Sequence, residues 1–134
     1  MLLLSFPSAA YHCNSLVNKI IKMKKIEAIV RFSKFEDVKE ALEGIGVNFF
    51  TYLEVNGHGK QKADAVTYRG AVYDSGDIPR VKIEIVVKES KAQEIITTIL
   101  NNAKTGVIGD GKIIVSDVSE FYRIRTGEQG DAAL

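Results

Sequence analysis

Residues 25–118 carry the same pattern twice: an alternating segment, a segment with apolar residues three and four apart, then another alternating segment. In the first half, Ile26, Ala28, Val30 and Phe32 alternate with Lys25, Glu27, Ile29 and Arg31. That period belongs to a strand with one strongly apolar face. Ser33 and Glu36 then stand at capping-box spacing. The helix they open places Phe35, Val38, Leu42 and Ile45 on one face. Gly44 and Gly46 end it, and residues 48–55 read as a second strand. In the second half, residues 81–87 form a strand, and Ser90 and Gln93 repeat the capping spacing. Ile95, Ile96, Ile99 and Leu100 mark a buried helical stripe, and residues 112–118 return as a strand through Ile113, Val115 and Val118. A strand–helix–strand unit repeated once predicts an α+β, ferredoxin-like fold: a βαβ–βαβ antiparallel sheet with both helices on one face. The right-handedness of such connections leaves few other topologies. Helices on one face leave the other bare. Ile29, Tyr52 and Ile85 are assigned to that bare face, which predicts a homo-oligomer that buries it.

Two segments lie outside the pattern. Residues 56–77 contain four glycines and no apolar period, and a loop of that length in a compact domain is usually functional or mobile. It opens with Gly57-His58-Gly59-Lys60-Gln61-Lys62, which combines permissive backbone with cations. Further on it carries Tyr68 and Tyr73, either partner anchors or modification sites, or rings that fold back on the loop. Beyond the last strand, Phe121-Tyr122-Arg123-Ile124-Arg125 reads as a short extra strand, which would point Arg123 and Arg125 to one side. Such a pair suits a polyphosphate through bidentate forks, though a solvated basic edge has the same spelling. Residues 126–134 read as a mobile polar tail.

The richest local signal joins the second helix to the last strand: Thr105-Gly106-Val107-Ile108-Gly109-Asp110-Gly111-Lys112. Glycines at this density let main-chain N–H groups turn inward as an anion-binding nest, and Lys112 adds a point charge for a phosphate. Gly106, Gly111 and Lys112 nearly spell a Walker A loop, but Ile113 stands where Ser or Thr would hold Mg2+. The order is also helix–loop–strand, the reverse of a P-loop. A phosphate loop of another design and a plain glycine turn with Gly106 as the helix cap both fit. Asp110 either takes part in nucleotide binding or stabilises the turn.

Composition narrows the function. At 134 residues the chain is one domain, and 46% hydrophobic with 26% charged residues is ordinary for a soluble protein. A formal net charge of +1 argues neither for nucleic acid nor for an anionic membrane. Cys13 is the single cysteine, which excludes an internal disulfide and a cysteine zinc site. His12 and His58 are too few and too scattered for a metal cluster. No run approaches the roughly 18 apolar residues of a transmembrane helix. Met1-Leu2-Leu3-Leu4-Ser5-Phe6 begins like a signal segment, but no basic stretch precedes it and Pro7 cuts it short. Met23 stands directly before the first strand, so residues 1–22 are expected to be an extension outside the fold and 23–134 the domain. No serine elbow, Cys–His pair within the fold or framed carboxylate pair is present, so the expectation is a protein that is not an enzyme.

Together these segments resemble the PII nitrogen-regulatory signal transduction proteins. The resemblance runs from Met23 to Leu134. It rests on Met23-Lys24-Lys25-Ile26-Glu27-Ala28-Ile29, the Gly-x-Gly-Lys-Gln-Lys loop opening and Tyr68-Arg69-Gly70-Ala71-x-Tyr73. It continues through residues 81–87, Thr105-Gly106-x-Ile108-Gly109-Asp110-Gly111-Lys112-Ile113 and Arg123-Ile124-Arg125-Thr126-Gly127-Glu128.

The resemblance implies a cytoplasmic homotrimer with ATP or ADP competing in the clefts between subunits. The glycine loop (105–112) is similar to the family's B-loop, and 57–77 to its T-loop. Nucleotide ligands would then be Gly57, Gly59, Lys60, Gln61, Gly109, Asp110, Gly111 and Lys112, with Arg123 and Arg125 reaching in from the neighbouring subunit. A 2-oxoglutarate site would use Gln61, Lys62, Arg80 and Ile108, and Mg2+ would sit between the phosphates, the oxoacid and Gln61. Tyr73 matches the tyrosine that some members uridylylate. The reshaped T-loop would act on ammonium transporters or the enzymes that regulate glutamine synthetase, with no nucleic-acid partner. Membrane contact would come only through a transporter.

Three positions depart from the usual family pattern: Arg80 where lysine is usual, Lys60 where arginine is usual, and Ala63 where glycine is common. Arg80 and Ala63 bear on the oxoacid site. Two other readings stay open: a PII-like adenylate sensor with another effector such as bicarbonate, and a small phosphate-handling enzyme.

Overall fold

The computed structural model describes residues 22–58, 66–68, 71–73 and 77–134, with main chain alone at 66–68, 71–73 and 77. The order is β1 (Met23–Arg31), α1 (Phe35–Gly44), β2 (Thr51–His58), β3 (Val66–Tyr68), β4 (Ala71–Tyr73), β5 (Asp77–Lys88), α2 (Glu89–Ala103) and β6 (Gly111–Val118). Short 3-10 turns cover Phe32–Lys34 and Gly130–Ala133. Four strands form one antiparallel sheet in the order β2-β5-β1-β6, and β3 pairs with β4 as a separate hairpin. This is the expected ferredoxin-like arrangement.

The period-2 pattern of β1 and β5 builds the core. Register pairs Ile26 with Ile85, Ala28 with Ile83 and Val30 with Val81, and all six are buried. Val38 and Leu42 of α1 and Ile95 and Ile99 of α2 close over them. Phe35 packs on Tyr52 with ring centroids 4.7 Å apart.

The opposite sheet face is polar at its centre. Lys25, Glu27, Lys82 and Glu84 interlock there, with Lys25–Glu27 at 2.6 Å and Lys82–Glu84 at 3.0 Å. The register corrects one expectation: Ile85 and Tyr52 lie on the helix side, because their cross-strand partners Ile26 and Ile83 do. Ile29 alone of the three faces the open side. Leu53 and Ile114, each 45% exposed, share that face.

Neither predicted capping box forms. Ser33 is taken into the 3-10 turn and α1 begins after Lys34, while α2 begins after Lys88; neither helix has a side-chain cap bond. Gln93 binds Thr97 instead of reaching back. The glycine stop of α1 does form. Gly46 adopts φ +87, its N–H donates to Glu43, and Val47 N–H donates to Leu42. That pair of bonds is a Schellman motif.

Two loop boundaries move. The second strand begins at Thr51 and runs on to His58, because Asn56, Gly57 and His58 pair with Pro79, Ile78 and Asp77. Pairing at the sheet edge does not require an apolar period. The expected extra strand at 121–125 is reduced to one bridge, Tyr122 to Gln129. Arg123 begins a turn there, closed by Arg123 N–H to Glu128 and Gly127 N–H to Arg123. Residues 126–134 are accordingly a hydrogen-bonded return segment, exposed over much of its length, with Ala133 buried.

Candidate functional site

The glycine loop leaves α2 through Lys104, whose N–H donates to Leu100. Gly106 lies two residues beyond that cap with φ +84, and Gly109 and Gly111 take φ +104 and +105. Gly111 is required for a second reason: a Cβ there would lie 1.8 Å from the Ile29 carbonyl oxygen. The loop therefore presses against β1.

Asp110 organises this loop. Its carboxylate accepts the N–H groups of Thr105 and Gly106, both at 2.9 Å, and the Thr105 hydroxyl. Arg31 Nε adds a fourth bond at 3.1 Å, and the same guanidinium donates to the Ile108 carbonyl at 2.9 Å. The Thr105 hydroxyl and main-chain donors, with Arg31, hold the Asp110 carboxyl well below the usual carboxylate range. Asp110 thus has the turn-stabilising role that the sequence left open. It also occupies the first two amides of the expected nest, which leaves the stretch around Gly109 to Lys112 to meet an anion.

Register gathers cations beside that stretch. Arg31 pairs directly with Arg80 across β1 and β5, and Lys112 pairs with Ile29, two residues along the same face. Neighbouring strands are about 4.8 Å apart, so two guanidinium-bearing residues stand side by side, with Asp110 bonded to Arg31. Arg80 is 7% exposed, and its Nη1 has no hydrogen-bond partner among the described residues. Burial and the neighbouring Arg31 both push its pKa down, and Asp110 offsets part of this. Gly57 lies beside Arg80, with the position of a Cβ 3.9 Å from the Arg80 side chain. Arg31 had no assigned role in the sequence, where only its place on the polar face of the strand was legible.

Of the other predicted site residues, Ile108 reaches the cluster only through its carbonyl, and Arg123 and Arg125 are elsewhere. Ile108 is 80% exposed at the loop tip. Arg123 and Arg125 follow the far end of β6. From Lys112, the second residue of β6, to its last residue Val118 is about 20 Å of strand, so one chain does not bring them to its own glycine loop. Arg123 donates to Glu128 at 2.6 Å and to the Leu134 main-chain oxygen at 3.2 Å, while Arg125 is exposed. Gly59, Lys60, Gln61, Lys62 and Ala63 lie outside the described residues, and Tyr68 and Tyr73 are placed by main chain alone on the β3–β4 hairpin. No helix among the described residues is long and apolar enough to cross a membrane.

A cleft of about 140 Å³ opens on the helix side of the loop, lined by Val30, Ile99, Ala103 and Ile113 together with Asp110 and Lys112. Its walls are mostly apolar, and Gly111 and Lys112 connect it to the charged face.

The sequence and the fold are similar to those of known proteins. The family model described as Nitrogen regulatory protein P-II matches residues 23–128. Nitrogen regulatory protein P-II 1 of Escherichia coli (strain K12) is 50% identical over 112 residues, covering 84% of this chain and all of that protein. The P-II protein of Rhizobium meliloti (strain 1021) is likewise 50% identical over 112 residues, with the same coverage of both chains. A crystal structure of Arabidopsis thaliana PII bound to citrate aligns with a TM-score of 0.70 and 40% identity, covering 84% of this chain and 92% of that one. With half of 112 aligned residues identical along the full length of bacterial relatives, and with the sheet order and glycine loop described above, the chain belongs to the nitrogen regulatory protein P-II family.

Proposed function

We propose that this member of a family of regulatory signal transducers binds ATP or ADP and 2-oxoglutarate, and reports them through residues 57–77. The observation that carries the proposal is the meeting of Arg31, Arg80 and Lys112 at one end of the open face. Arg80 there is buried with an unpaired guanidinium nitrogen among the described residues. A buried donor left unpaired costs free energy, and an anion from outside would remove that cost. Nucleotide phosphates fit Gly109, Gly111 and Lys112, and a carboxylate fits Arg80. Arginine at 80 favours a bidentate carboxylate grip over the point contact of a lysine. The citrate bound to the Arabidopsis protein shows a relative holding a polycarboxylate.

The distance between Lys112 and Arg123 favours a site assembled from two subunits, and the open sheet face supplies a surface for a homotrimer. Mg2+ would take its ligands from the phosphates, the oxoacid and Gln61, since the described residues contain no group of three or more His, Cys, Asp or Glu for it. Ligand binding shifts the T-loop only by its differential affinity for the loop's states. The reshaped loop would act on ammonium transporters or enzymes regulating glutamine synthetase in the cytoplasm, with Tyr73 as a candidate modification site. We take 23–134 as the working domain, with 1–22 outside it.

Calorimetric titration of 2-oxoglutarate into the full chain, with Mg-ATP and separately with ADP, tests this reading. Binding only with Mg-ATP supports it, and Arg80→Ala should then weaken the oxoacid at least about tenfold while ATP changes little. ATP binding with no oxoacid response would redirect the effector search to small anions such as bicarbonate.

A further inference from the structure

Arg123 is expected to hold nucleotide phosphate, yet its guanidinium is already engaged within the chain. Nη1 donates to Glu128 Oε2 at 2.6 Å and Nη2 to the Leu134 main-chain oxygen at 3.2 Å. The backbone enforces this grip. Arg123 N–H donates to the Glu128 carbonyl, Gly127 N–H donates back to Arg123, and Gly127 takes φ +70 to make the turn. The Thr126 hydroxyl donates to the same Glu128 oxygen at 3.1 Å, which orients the carboxylate. Farther along, Gly130 N–H donates to Phe121 at 2.8 Å, Lys88 pairs with Asp131 at 2.6 Å, and Ala133 is buried.

We infer that residues 128–134 are an internal ligand of Arg123, competing with nucleotide phosphate for the same guanidinium edge. The inference rests on the nucleotide reading above and adds its regulation. A carboxylate and a main-chain oxygen imitate the two oxygens of a phosphate in front of an arginine fork. The segment and a polyphosphate cannot both hold that edge, so binding of one weakens the other by the same factor. The ligand-free subunit keeps the segment docked against Lys88 and Phe121. The nucleotide-bound subunit releases Glu128 first, and the contacts of Gly130, Asp131 and Ala133 loosen with it. The consequence is a second ligand-dependent segment, at the end of the sheet opposite the glycine loop. The competing pair is partly exposed, with side chains 35% and 45% accessible, so its effect on affinity is a few-fold.

The test uses the full chain as wild type, Glu128→Gln and Asp131→Asn, with Mg-ATP as the probe. Calorimetry reads affinity, and hydrogen exchange reads the Gly130 amide. The expected result is ATP binding about threefold tighter in Glu128→Gln, faster Gly130 exchange in that variant without ligand, and faster Gly130 exchange in wild type once ATP saturates. Asp131→Asn, which removes a docking contact without touching Arg123, should move affinity in the same direction. Equal affinity in all three proteins with unchanged Gly130 protection overturns the inference while the nucleotide reading stands. Failure of all three to bind ATP overturns both.

Discussion

Gly111 is the most constrained single residue in the site. Its φ of +105 disfavours any side chain, and an added Cβ would collide with the Ile29 carbonyl. Backbone cannot yield as a flexible side chain can, so Gly111→Ala should cost about 3 kcal/mol or more. Gly46 also has positive φ but has nothing within 4 Å of a Cβ, so Gly46→Ala should cost only about 1 kcal/mol. Urea unfolding of the two variants checks this, and equal losses would mean that the contact at Ile29 is not rigid. Asp110 makes a pH-dependent contribution. Its folded pKa is depressed by the donors around it, so the stability it supplies is complete above about pH 4, the ordinary carboxylate value. It is lost as pH falls below that, toward the folded value. Wild type should therefore exceed Asp110→Asn in stability at pH 7, and the gap should narrow steadily on acidification below pH 4. A gap independent of pH would assign the effect to shape and not to charge.

At the scale of elements, the helices owe more to the sheet than to their ends. Ser33 and Glu36 have the spelling of a capping box, but the chain turns through 3-10 geometry before α1 begins and no cap bond forms. Ser33→Ala should cost less than about 0.5 kcal/mol, against about 1 for a working cap. Leu42 is fully buried between α1 and the sheet, and Leu42→Ala should cost about 3 kcal/mol. Thermal unfolding of both variants checks the ranking, and a Ser33→Ala loss as large as that of Leu42→Ala would restore the cap. Period-2 and period-3.6 patterns located the main strands and both helices because each has one face in the core. They failed for the end of β2 and for residues 121–134. Those segments are held by edge pairing, by Arg123 and by Lys88–Asp131, none of which leaves an apolar rhythm.

The whole molecule divides the expected nucleotide ligands between opposite ends of one sheet. Lys112 is the second residue of β6, and Arg123 lies beyond its other end. If each site joins the glycine loop of one subunit to Arg123 of the next, Lys112→Ala and Arg123→Ala proteins should each lose ATP binding. Mixed in equal amounts and allowed to exchange subunits, they should recover about a quarter of the sites, because each site needs an intact donor on both sides of a closed ring. No recovery after verified exchange would place both residues in one subunit's site.

The family and the fold were legible in the order of residues, because the two repeated strand–helix–strand patterns and the glycine loop are local signals. So was a glycine turn between the second helix and the last strand, where Gly106, Gly109 and Gly111 take positive φ. The pairing of Arg31 with Arg80, the commitment of Asp110 to the loop and the placement of Ile85 and Tyr52 on the helix side depended on strand register. Arg123's engagement with Glu128 and Leu134 depended on a turn stabilised by tertiary contacts. Local spacing sets which face a residue takes along its own strand. Only pairing between distant segments sets what stands opposite it, and that decides which charges meet.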